Sequence, residues 1–354
     1  MSGASVDRTL TERLKDLAGT LGFARCGVAR VADLGRDAAT LRHWVAEGYH
    51  GSMAWMADTA DVRVDPADPR LLAGAASVLV VAAPYARPVE GTPDAARSGR
   101  IARYALGRDY HNVLGKRLRK VAALLRAEGH AARVSVDTMP VLERAWAQRA
   151  GVGFIGKNCC LIVPGLGSHV FLGAVLTTAT LEADEPARER CGTCRLCLDA
   201  CPTRAFVGPR LLDARRCIAY LTIEHRGPVP EALRPDLGEH LFGCDDCQDV
   251  CPFNGTRTAP DALTAPFKAR PEVLDTPPEA YLGLGPGAFA ERFRGSPLRR
   301  AGRDGMARNA ALVLGNRGDR RHLRVLRDAA AKDRSSVVRD AARWAVERLD
   351  HDES

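Results

Sequence analysis

The sequence predicts a protein of the α+β or α/β class that carries two further parts, a small cysteine-rich domain and a C-terminal helical module. Three observations support this. Ser77–Pro84 is a continuous apolar run, typical of a buried central strand, and it lies between helical patterns. Eight cysteines fall within the 61 residues from Cys191 to Cys251. From about Gly295 the pattern is helical throughout. We therefore expect domains at residues 1–184, 185–255 and 295–354, with an irregular, Pro-rich connector at 256–294.

The predicted elements of the N-terminal domain follow from periodicity and from turn residues. They are helices at Thr9–Thr20, Asn112–Glu128 and Pro140–Ala150, strands at Ala24–Ala29, Ser77–Pro84 and Arg133–Asp137, and a β-hairpin of Leu161–Val163 with Val170–Thr178. The hairpin is expected because Pro164, Gly165, Gly167 and Ser168 separate its two apolar runs. Together these elements predict a mixed α/β layer.

Size and charge limit the class of protein. The chain has 354 residues and a net charge of +8, with 46% apolar and 27% charged residues, which is typical of a globular protein. Neither a secretory signal nor an apolar stretch of membrane-spanning length is present, so we expect a cytoplasmic protein with no membrane association. The last 64 residues hold 16 basic and 10 acidic residues, which is six of the eight net charges. This fits either a polyanionic partner such as nucleic acid or a solvated, arginine-rich surface.

The cysteines form two related runs. Cys191, Cys194, Cys197 and Cys201, followed by Pro202, spell the bacterial ferredoxin run, in which three thiolates hold one cubane cluster and the fourth holds another. Cys244, Cys247 and Cys251 repeat it, with Leu241 in place of the first cysteine and Cys217 available as the replacement. The sequence therefore predicts a ferredoxin-like domain with two [4Fe–4S] clusters. One is held by Cys191, Cys194, Cys197 and Cys251, and the other by Cys201, Cys217, Cys244 and Cys247.

Other uses of these cysteines are less consistent with the spacing. Zinc ribbons use C-x2-C pairs without this run, and a disulfide framework is not expected in a long chain without a secretory signal. The remaining cysteines, Cys26, Cys159 and Cys160, fit small buried apolar side chains. Clusters of this kind usually carry electrons to another site, so they indicate a reductase or an electron-transfer protein.

Asp137 is the acid with the most informative position. It follows the predicted strand Arg133–Asp137, and a carboxyl group at a strand end that faces a cofactor pocket can have a raised pKa and serve as a general acid. Alternatively, Asp137 or Thr138 caps the helix expected to begin near Pro140. His111, before the long helix, is expected to have a hydrogen-bonding, substrate-binding or helix-capping role rather than a metal-binding one. The glycine-rich turn Gly151–Asn158 matches neither phosphate-binding loop pattern, but its backbone and Lys157 fit an anionic or amide-rich cofactor.

The helical C-terminal region is predicted to contain helices at Gly305–Leu314, Arg320–Ala331 and Ser335–Leu349, the first ended by Gly315-Asn316. Its Ala/Leu/Val/Arg pattern is typical of a HEAT-like repeat. An array this short must pack against the rest of the chain.

With these motifs placed, nearly the whole chain resembles epoxyqueuosine reductases, the cobalamin- and iron–sulfur-dependent enzymes that complete queuosine in tRNA. The motifs that carry the resemblance are Arg103–His111, Val136–Arg144, Ala150–Asn158, Gly167-Ser168, the ferredoxin run, Cys217–His225, Phe242–Pro252 and Arg308–Asn316. Within the family, cobalamin is bound base-off, without a protein ligand on its lower face.

The resemblance implies roles for individual residues. The family's catalytic acid falls on Asp137, and residues around the cobalamin pocket fall on Arg63, Arg144, Lys157, Asn158, Ser168 and Asp245. It also implies that cobalamin is reduced through the two clusters, that the basic helical module meets the tRNA anticodon stem-loop, and that flavodoxin or ferredoxin is the electron donor to a monomeric enzyme. A corrinoid-dependent reductive dehalogenase, a ferredoxin-like carrier and a tRNA-binding module with structural clusters are the alternatives.

Overall fold

The structure, a computed structural model, describes residues 8–32, 34–85, 98–255 and 265–351. Its N-terminal region is a mixed α/β layer. The helices are α1 (Arg8–Thr20), α2 (Arg36–Ala46), α3 (Ala54–Asp58), α4 (Ala60–Val64), α5 (Pro69–Leu72), α6 (Tyr110–Ala127) and α7 (Glu143–Arg149). The strands are β1 (Arg25–Arg30), β2 (Ser77–Pro84), β3 (Arg100–Ile101), β4 (Ala132–Ser135), β5 (Phe154–Ile155), β6 (Leu161–Ile162) and β7 (Val170–Thr177).

Four of these strands form one sheet in the order β1-β2-β7-β4, and every pairing is antiparallel. The apolar run predicted as a central strand is β2, which is buried along its whole length. Because successive side chains of a strand point to opposite faces of the sheet, β2 contributes apolar side chains to the core on each face. Leu79, Val81 and Ala83 pack into the core with α1 and α6, while Val78, Val80 and Ala82 pack into the core with α2 and α7.

Two details differ from the sequence-based expectation. The predicted hairpin of Leu161–Val163 with Val170–Thr178 is wrong, because β6 pairs with β5, and β7 lies between β2 and β4. A strand with apolar residues on both faces is stabilised in the middle of the sheet, where it has partners on both sides. The sheet is antiparallel, so the α+β class describes it better than an open parallel sheet does.

The cysteine-rich region contains short elements. They are α8 (Leu196–Asp199), α9 (Ile218–Ile223), α10 (Asp246–Asp249), β8 (Phe206–Gly208), β9 (Leu211–Leu212) and β10 (His240–Phe242). Parallel pairing of β10 with β3 joins this region to the N-terminal layer. Leu241, which replaces a cysteine in the second run, is fully buried in β10, where it packs among apolar side chains. The side chain at this position therefore stabilises the core.

The segment predicted as an irregular connector contains three short helices in its described part, α11 (Pro271–Leu274), α12 (Pro278–Gly283) and α13 (Pro286–Arg292). The start of that segment, residues 256–264, lies outside the described residues. The C-terminal helices are α14 (Gly302–Arg317), α15 (Leu323–Lys332) and α16 (Ser336–His351). None of the helices within the described ranges is long and apolar enough to cross a bilayer.

Helix α14 is the centre of the C-terminal region, and residues 305–315 within it are buried on all sides. The prediction that Gly315-Asn316 ends this helix is wrong. The helix continues to Arg317 and ends at Gly318, whose φ of 73° is the left-handed conformation common at helix C-termini. Gly315 instead permits close packing, because a Cβ atom there would lie 2.8 Å from the Cβ of Ala345 in α16.

Arg308 on α14 connects the C-terminal helices to the cysteine-rich region. Only 1% of this residue is exposed. Its guanidinium donates to the carbonyl oxygens of Leu221, His225 and Gly227, and to Oδ1 of Asn309. Burial lowers the pKa of Arg308 to about 10. The buried cation thus satisfies backbone acceptors that water does not reach.

We expect Arg308→Met to destabilise the protein by about 3–5 kcal/mol, because it leaves three buried carbonyl oxygens without a donor. The midpoint of urea unfolding, followed by circular dichroism, measures this. Arg317→Met on the same helix is the control, since the ion pair of Arg317 with Glu239 at 3.0 Å is partly exposed and contributes about 1 kcal/mol or less. Equal midpoints for the two variants would contradict the connecting role of Arg308.

Candidate active site and cluster-binding cysteines

Asp137 lies in the loop between β4 and α7, with its side chain two-thirds exposed. Its φ is 60°, in the left-handed region. Helix α7 begins at Glu143, with Leu142 as its N-cap and no side-chain capping bond. The alternative interpretation, in which Asp137 or Thr138 caps this helix, therefore does not apply. Instead, Asp137 Oδ2 accepts a hydrogen bond of 2.7 Å from the hydroxyl of Tyr110.

The start of α6 supplies the other side chains around this carboxylate. Asp109 caps α6 by accepting from the backbone N–H of His111 at 3.0 Å, and the same oxygen lies 2.7 Å from His111 Nδ1. The opposite ring nitrogen, Nε2, lies 3.6 Å from Asp137 Oδ2. Tyr110 is stacked between His111 and Phe171 of β7, with ring centroids 4.1 and 4.4 Å away. The sheet thus fixes the tyrosine and, through it, the acid–imidazole pair.

The pKa of Asp137 is shifted in the direction opposite to the sequence-based expectation. The interaction with His111 lowers the pKa of Asp137, Tyr110 adds to this, and together they outweigh the desolvation that acts in the opposite direction. Desolvation alone would lower the pKa of His111, but its interactions with Asp109 and Asp137 raise it to about 9. At neutral pH the pair is therefore a carboxylate beside an imidazolium. The expected raised pKa at Asp137 is not found, and the proton resides on His111.

Two arginines and a buried acid surround the base of the Asp137 loop. Arg144 donates to the carbonyl oxygen of Cys159, and its positive charge favours the ionised form of Asp137. Arg63 is buried, stacks over Trp55 at 5.4 Å and donates to the Thr59 hydroxyl. The neighbouring acid, Glu143, accepts from the Ser135 hydroxyl at 3.2 Å. Burial raises the pKa of Glu143 to about 7.

The other predicted pocket residues lie at the boundary with the cysteine-rich region. Lys157 Nζ donates to the carbonyl oxygens of Gly192 and Cys194, at 2.6 and 2.9 Å. Asn158 donates to the carbonyl oxygen of Cys247 at 3.2 Å. These bonds hold the glycine-rich turn against both cysteine runs.

Ser168 and Asp245 make similar contacts across the same boundary. The Ser168 backbone N–H donates to Oδ1 of Asn254, and its hydroxyl bonds with Gln248. Asp245 accepts from the backbone N–H of Arg103 at 2.7 Å. Burial raises the pKa of Asp245 to about 6. The two residues thus join the α/β layer to the second cysteine run.

The glycines of the turn Gly151–Asn158 serve close packing rather than an open cradle. A Cβ atom on Gly153 would lie 2.5 Å from the carbonyl oxygen of Ile162, and one on Gly156 would lie 2.6 Å from the Ile162 side chain. The turn therefore fits tightly against β6. This explains the glycine pattern without a phosphate-binding loop.

All eleven cysteines of the sequence are among the described residues, and none of them forms a disulfide. Burial, followed by the thiols of Cys191, Cys251 and Cys194, raises the pKa of Cys197 to about 11. Cys217, in contrast, has Cys201 as its neighbour from the first run. The thiols of Cys217 and Cys244 both raise the pKa of Cys247. Cysteines from both runs, together with Cys217, therefore lie near enough to influence one another's pKa values.

Cys159 and Cys160 follow the glycine-rich turn, and Arg144 connects them to Asp137. Cys160 contacts Cys247, and both Cys159 and Cys160 are close enough to Arg144 for its charge to favour their ionised forms. The same arginine acts on the carboxylate of Asp137. Sequence reasoning gave no role to Tyr110, although its place beside the helix-capping Asp109 is the signal that could have identified it.

The ferredoxin-type cysteine runs and the acid–imidazole pair together fit an iron–sulfur oxidoreductase. Residues 190–254 match the family described as "4Fe-4S double cluster binding domain", and residues 63–138 match "Epoxyqueuosine reductase QueG, DUF1730". An epoxyqueuosine reductase of Xanthomonas campestris pv. campestris is 43% identical over 343 residues, covering 94% of each chain. One of Pseudomonas aeruginosa is 42% identical and covers 96% of this chain and 94% of its own.

A solved structure of an epoxyqueuosine reductase with a tRNA-Tyr epoxyqueuosine-modified stem-loop has a similar fold. It superposes with a TM-score of 0.88 and 32% identity, and the match covers 96% of this chain and 90% of that one. The chain belongs to the epoxyqueuosine reductase family.

Proposed function

We propose that this chain reduces epoxyqueuosine to queuosine at the wobble position of tRNA. The observation that carries the proposal is the exposed acid–imidazole pair of Asp137 and His111, which Arg144 connects to Cys159 and Cys160. An exposed acid is accessible to a base on a large nucleic acid, and a modifying enzyme must take its target base out of the stack. The relatives reported above support this substrate, and one of them was solved with an epoxyqueuosine-modified tRNA stem-loop.

The cysteines are proposed to hold two [4Fe–4S] clusters in the crossed arrangement. Cys191, Cys194, Cys197 and Cys251 would hold the first cluster, and Cys201, Cys217, Cys244 and Cys247 the second. The proximity of thiols from different parts of the chain supports this assignment. Electrons from a flavodoxin or ferredoxin would enter through these clusters.

Cobalamin is proposed as the cofactor between the clusters and the substrate, where it supplies a low-potential metal centre able to open an epoxide C–O bond. The residues present fit this group. The charge of Arg144 acts on both Asp137 and Cys160, and Cys160 in turn contacts Cys247. His111 has carboxylate oxygens at both ring nitrogens, so it is not placed as a metal ligand, in agreement with base-off binding.

Arg63, Arg144, Lys157, Asn158, Ser168 and Asp245 would hold cobalamin or form the wall of its pocket. Their hydrogen bonds to the protein, described above, fix this wall against the cysteine-rich region. Replacement of Lys157 or Asn158 should therefore disturb the distance between the α/β layer and the clusters.

The reduction consumes two electrons and two protons and releases one water. The chain's own contribution is a proton at the departing oxygen. His111 stores that proton because its pKa is about 9, and Asp137 is the group next to it that faces solvent and substrate. Asp137 is thus the proposed catalytic acid, and His111 supplies it with a proton for each proton transfer to the substrate.

The domain ranges 1–184, 185–255 and 295–354 fit these roles as catalytic, cluster-binding and tRNA-binding parts. The C-terminal helices are proposed to act as a HEAT-like module that contacts RNA phosphates through its excess of arginines. The enzyme is proposed to act as a monomer in the cytoplasm.

We expect the single-turnover rate to fall as the pH rises through about 9, because His111 then loses its proton. The raised pKa means that the proton is fully present at neutral pH. In His111→Gln this decline should disappear, and the rate at neutral pH should be about 10²-fold lower. His43→Gln, an exposed histidine on α2, is the control. A wild-type decline that persists in His111→Gln would contradict the proton store.

The test of the function is conversion of the modified nucleoside. The protein is purified anaerobically, loaded with cobalamin, reduced, and mixed with tRNA that carries epoxyqueuosine. Mass spectrometry of the digested nucleosides should show loss of one oxygen mass, dependent on cobalamin. No conversion with both clusters and cobalamin present would contradict the proposal, and turnover of an organohalide instead would favour a reductive dehalogenase.

A further inference from the structure

A cavity of about 500 Å³ lies between the cysteine-rich region and the C-terminal helices. Its lining includes Arg226, Arg300, Arg303 and Arg334, together with the backbone at the start of α14. Asp304 is the only acid among the lining residues that the structure describes. Four guanidinium groups around one cavity indicate a site for an anion.

The four arginines are neutralised to different degrees. Arg303 is buried and pairs with Asp333 at 2.6 Å, and it also contacts Asp304 at 3.4 Å. Arg300 forms a two-pronged pair with Glu224, with its nearest N–O contact at 2.8 Å, and about half of its side chain remains exposed.

Arg226 and Arg334 keep their charge available. Arg226 donates to the carbonyl oxygens of Ile223, Ala301 and Arg300, which orient the guanidinium without neutralising it. Arg334 is exposed in the loop before α16, and it forms no ion pair with any described residue. The cavity thus has a net positive lining, in which the Arg226 guanidinium is held by backbone carbonyls and that of Arg334 is exposed.

The position of the cavity links it to the acid–imidazole pair. The backbone N–H of Asp109, the residue that holds His111, donates to the carbonyl oxygen of Gly295 at 2.9 Å. The chain then runs from Gly295 to Arg300 within five residues. The negative charge of Asp137 also contributes to the raised pKa of Arg300. The basic cavity is therefore a neighbour of the catalytic acid.

We propose that this cavity binds a backbone phosphate of the substrate RNA close to the nucleotide that is reduced. The inference rests on the proposed function, because it assumes that the base beside Asp137 belongs to an RNA chain. Guanidinium groups match phosphate oxygens through paired N–H donors, and phosphate contacts set the position of a nucleic acid without reading its sequence. The phosphate held here positions the base at Asp137.

The test uses the holoenzyme with epoxyqueuosine-modified tRNA and with the isolated anticodon stem-loop. Arg334→Ala should raise KM about tenfold for both RNAs and leave kcat within about twofold, because a charge-assisted contact made in the ground state is lost. The slope of log Kd against log salt should fall by about 1, and Arg334→Lys should recover most of the affinity. Iron content and thermal stability should not change, since Arg334 is exposed.

Arg42→Ala is the matched control. Arg42 is an exposed arginine on α2, outside the C-terminal helices and outside the lining of the cavity. An unchanged KM in Arg334→Ala, or an equal rise in Arg42→Ala, would overturn the local phosphate site. If the wild type binds the stem-loop in an Arg334-dependent manner but does not reduce it, the proposed function fails while the phosphate site stands.

Discussion

Asp137→Asn is expected to lower turnover about 10³–10⁴-fold while both clusters and cobalamin remain bound. The amide keeps the size of the side chain and can still accept from the Tyr110 hydroxyl, but it cannot receive a proton from His111 and pass it on. Asparagine also tolerates the left-handed backbone at this position, where φ is 60°, so the loop should keep its conformation. The measurement is the single-turnover rate of nucleoside conversion.

Two controls separate a chemical effect from a structural one. Glu128→Gln replaces an exposed acid that pairs with Arg13 at the surface, and it should keep the full rate. Iron content and the visible spectrum of bound cobalamin in Asp137→Asn should equal those of the wild type. A wild-type rate in Asp137→Asn would exclude this residue as the acid, and loss of cobalamin would make it a binding residue instead.

Much of the fold could be predicted because the responsible patterns are local. The apolar run of β2, the amphipathic pattern of α6 and the strand before Asp137 depend on neighbours in sequence. The order of the strands could not be predicted in this way. Whether β7 pairs with β6 or with β2 depends on which surfaces the helices cover, and this is a property of the assembled layer.

The candidate site could likewise be predicted only in its local features. The position of Asp137 was accessible from its strand, but its ionisation state was not, because Tyr110 and His111 reach it from an element 26 or 27 residues earlier. Desolvation of a carboxyl group beside a cofactor pocket predicts a raised pKa, and the specific partners of Asp137 reverse this shift. Likewise, no local pattern indicated that Lys157 and Asn158 bond to the backbone of the cysteine runs, because these contacts join distant parts of the chain.

The cysteine assignment leads to the second prediction, that Cys217→Ala removes about half of the iron. Cys217 is outside both C-x2-C runs, yet its thiol lies next to that of Cys201 at the start of α9. Without it, the second cluster has three ligands from the assigned set. Since Cys160 contacts Cys247, its thiol is the nearest substitute ligand, so Cys217→Ala should be compared with Cys217→Ala combined with Cys160→Ala.

The crossed arrangement of ligands can be tested more specifically by the spectrum of the remaining cluster than by iron content. Cys201→Ala and Cys217→Ala should both leave the first cluster, and therefore give the same paramagnetic resonance spectrum after reduction. Cys251→Ala should leave the second cluster and give a different spectrum, although Cys251 lies in the second run. Cys26→Ala, in β1, should keep all the iron. If Cys251→Ala matches Cys217→Ala instead, each run holds its own cluster, and electrons would pass between two separate sites rather than through interlocked ones.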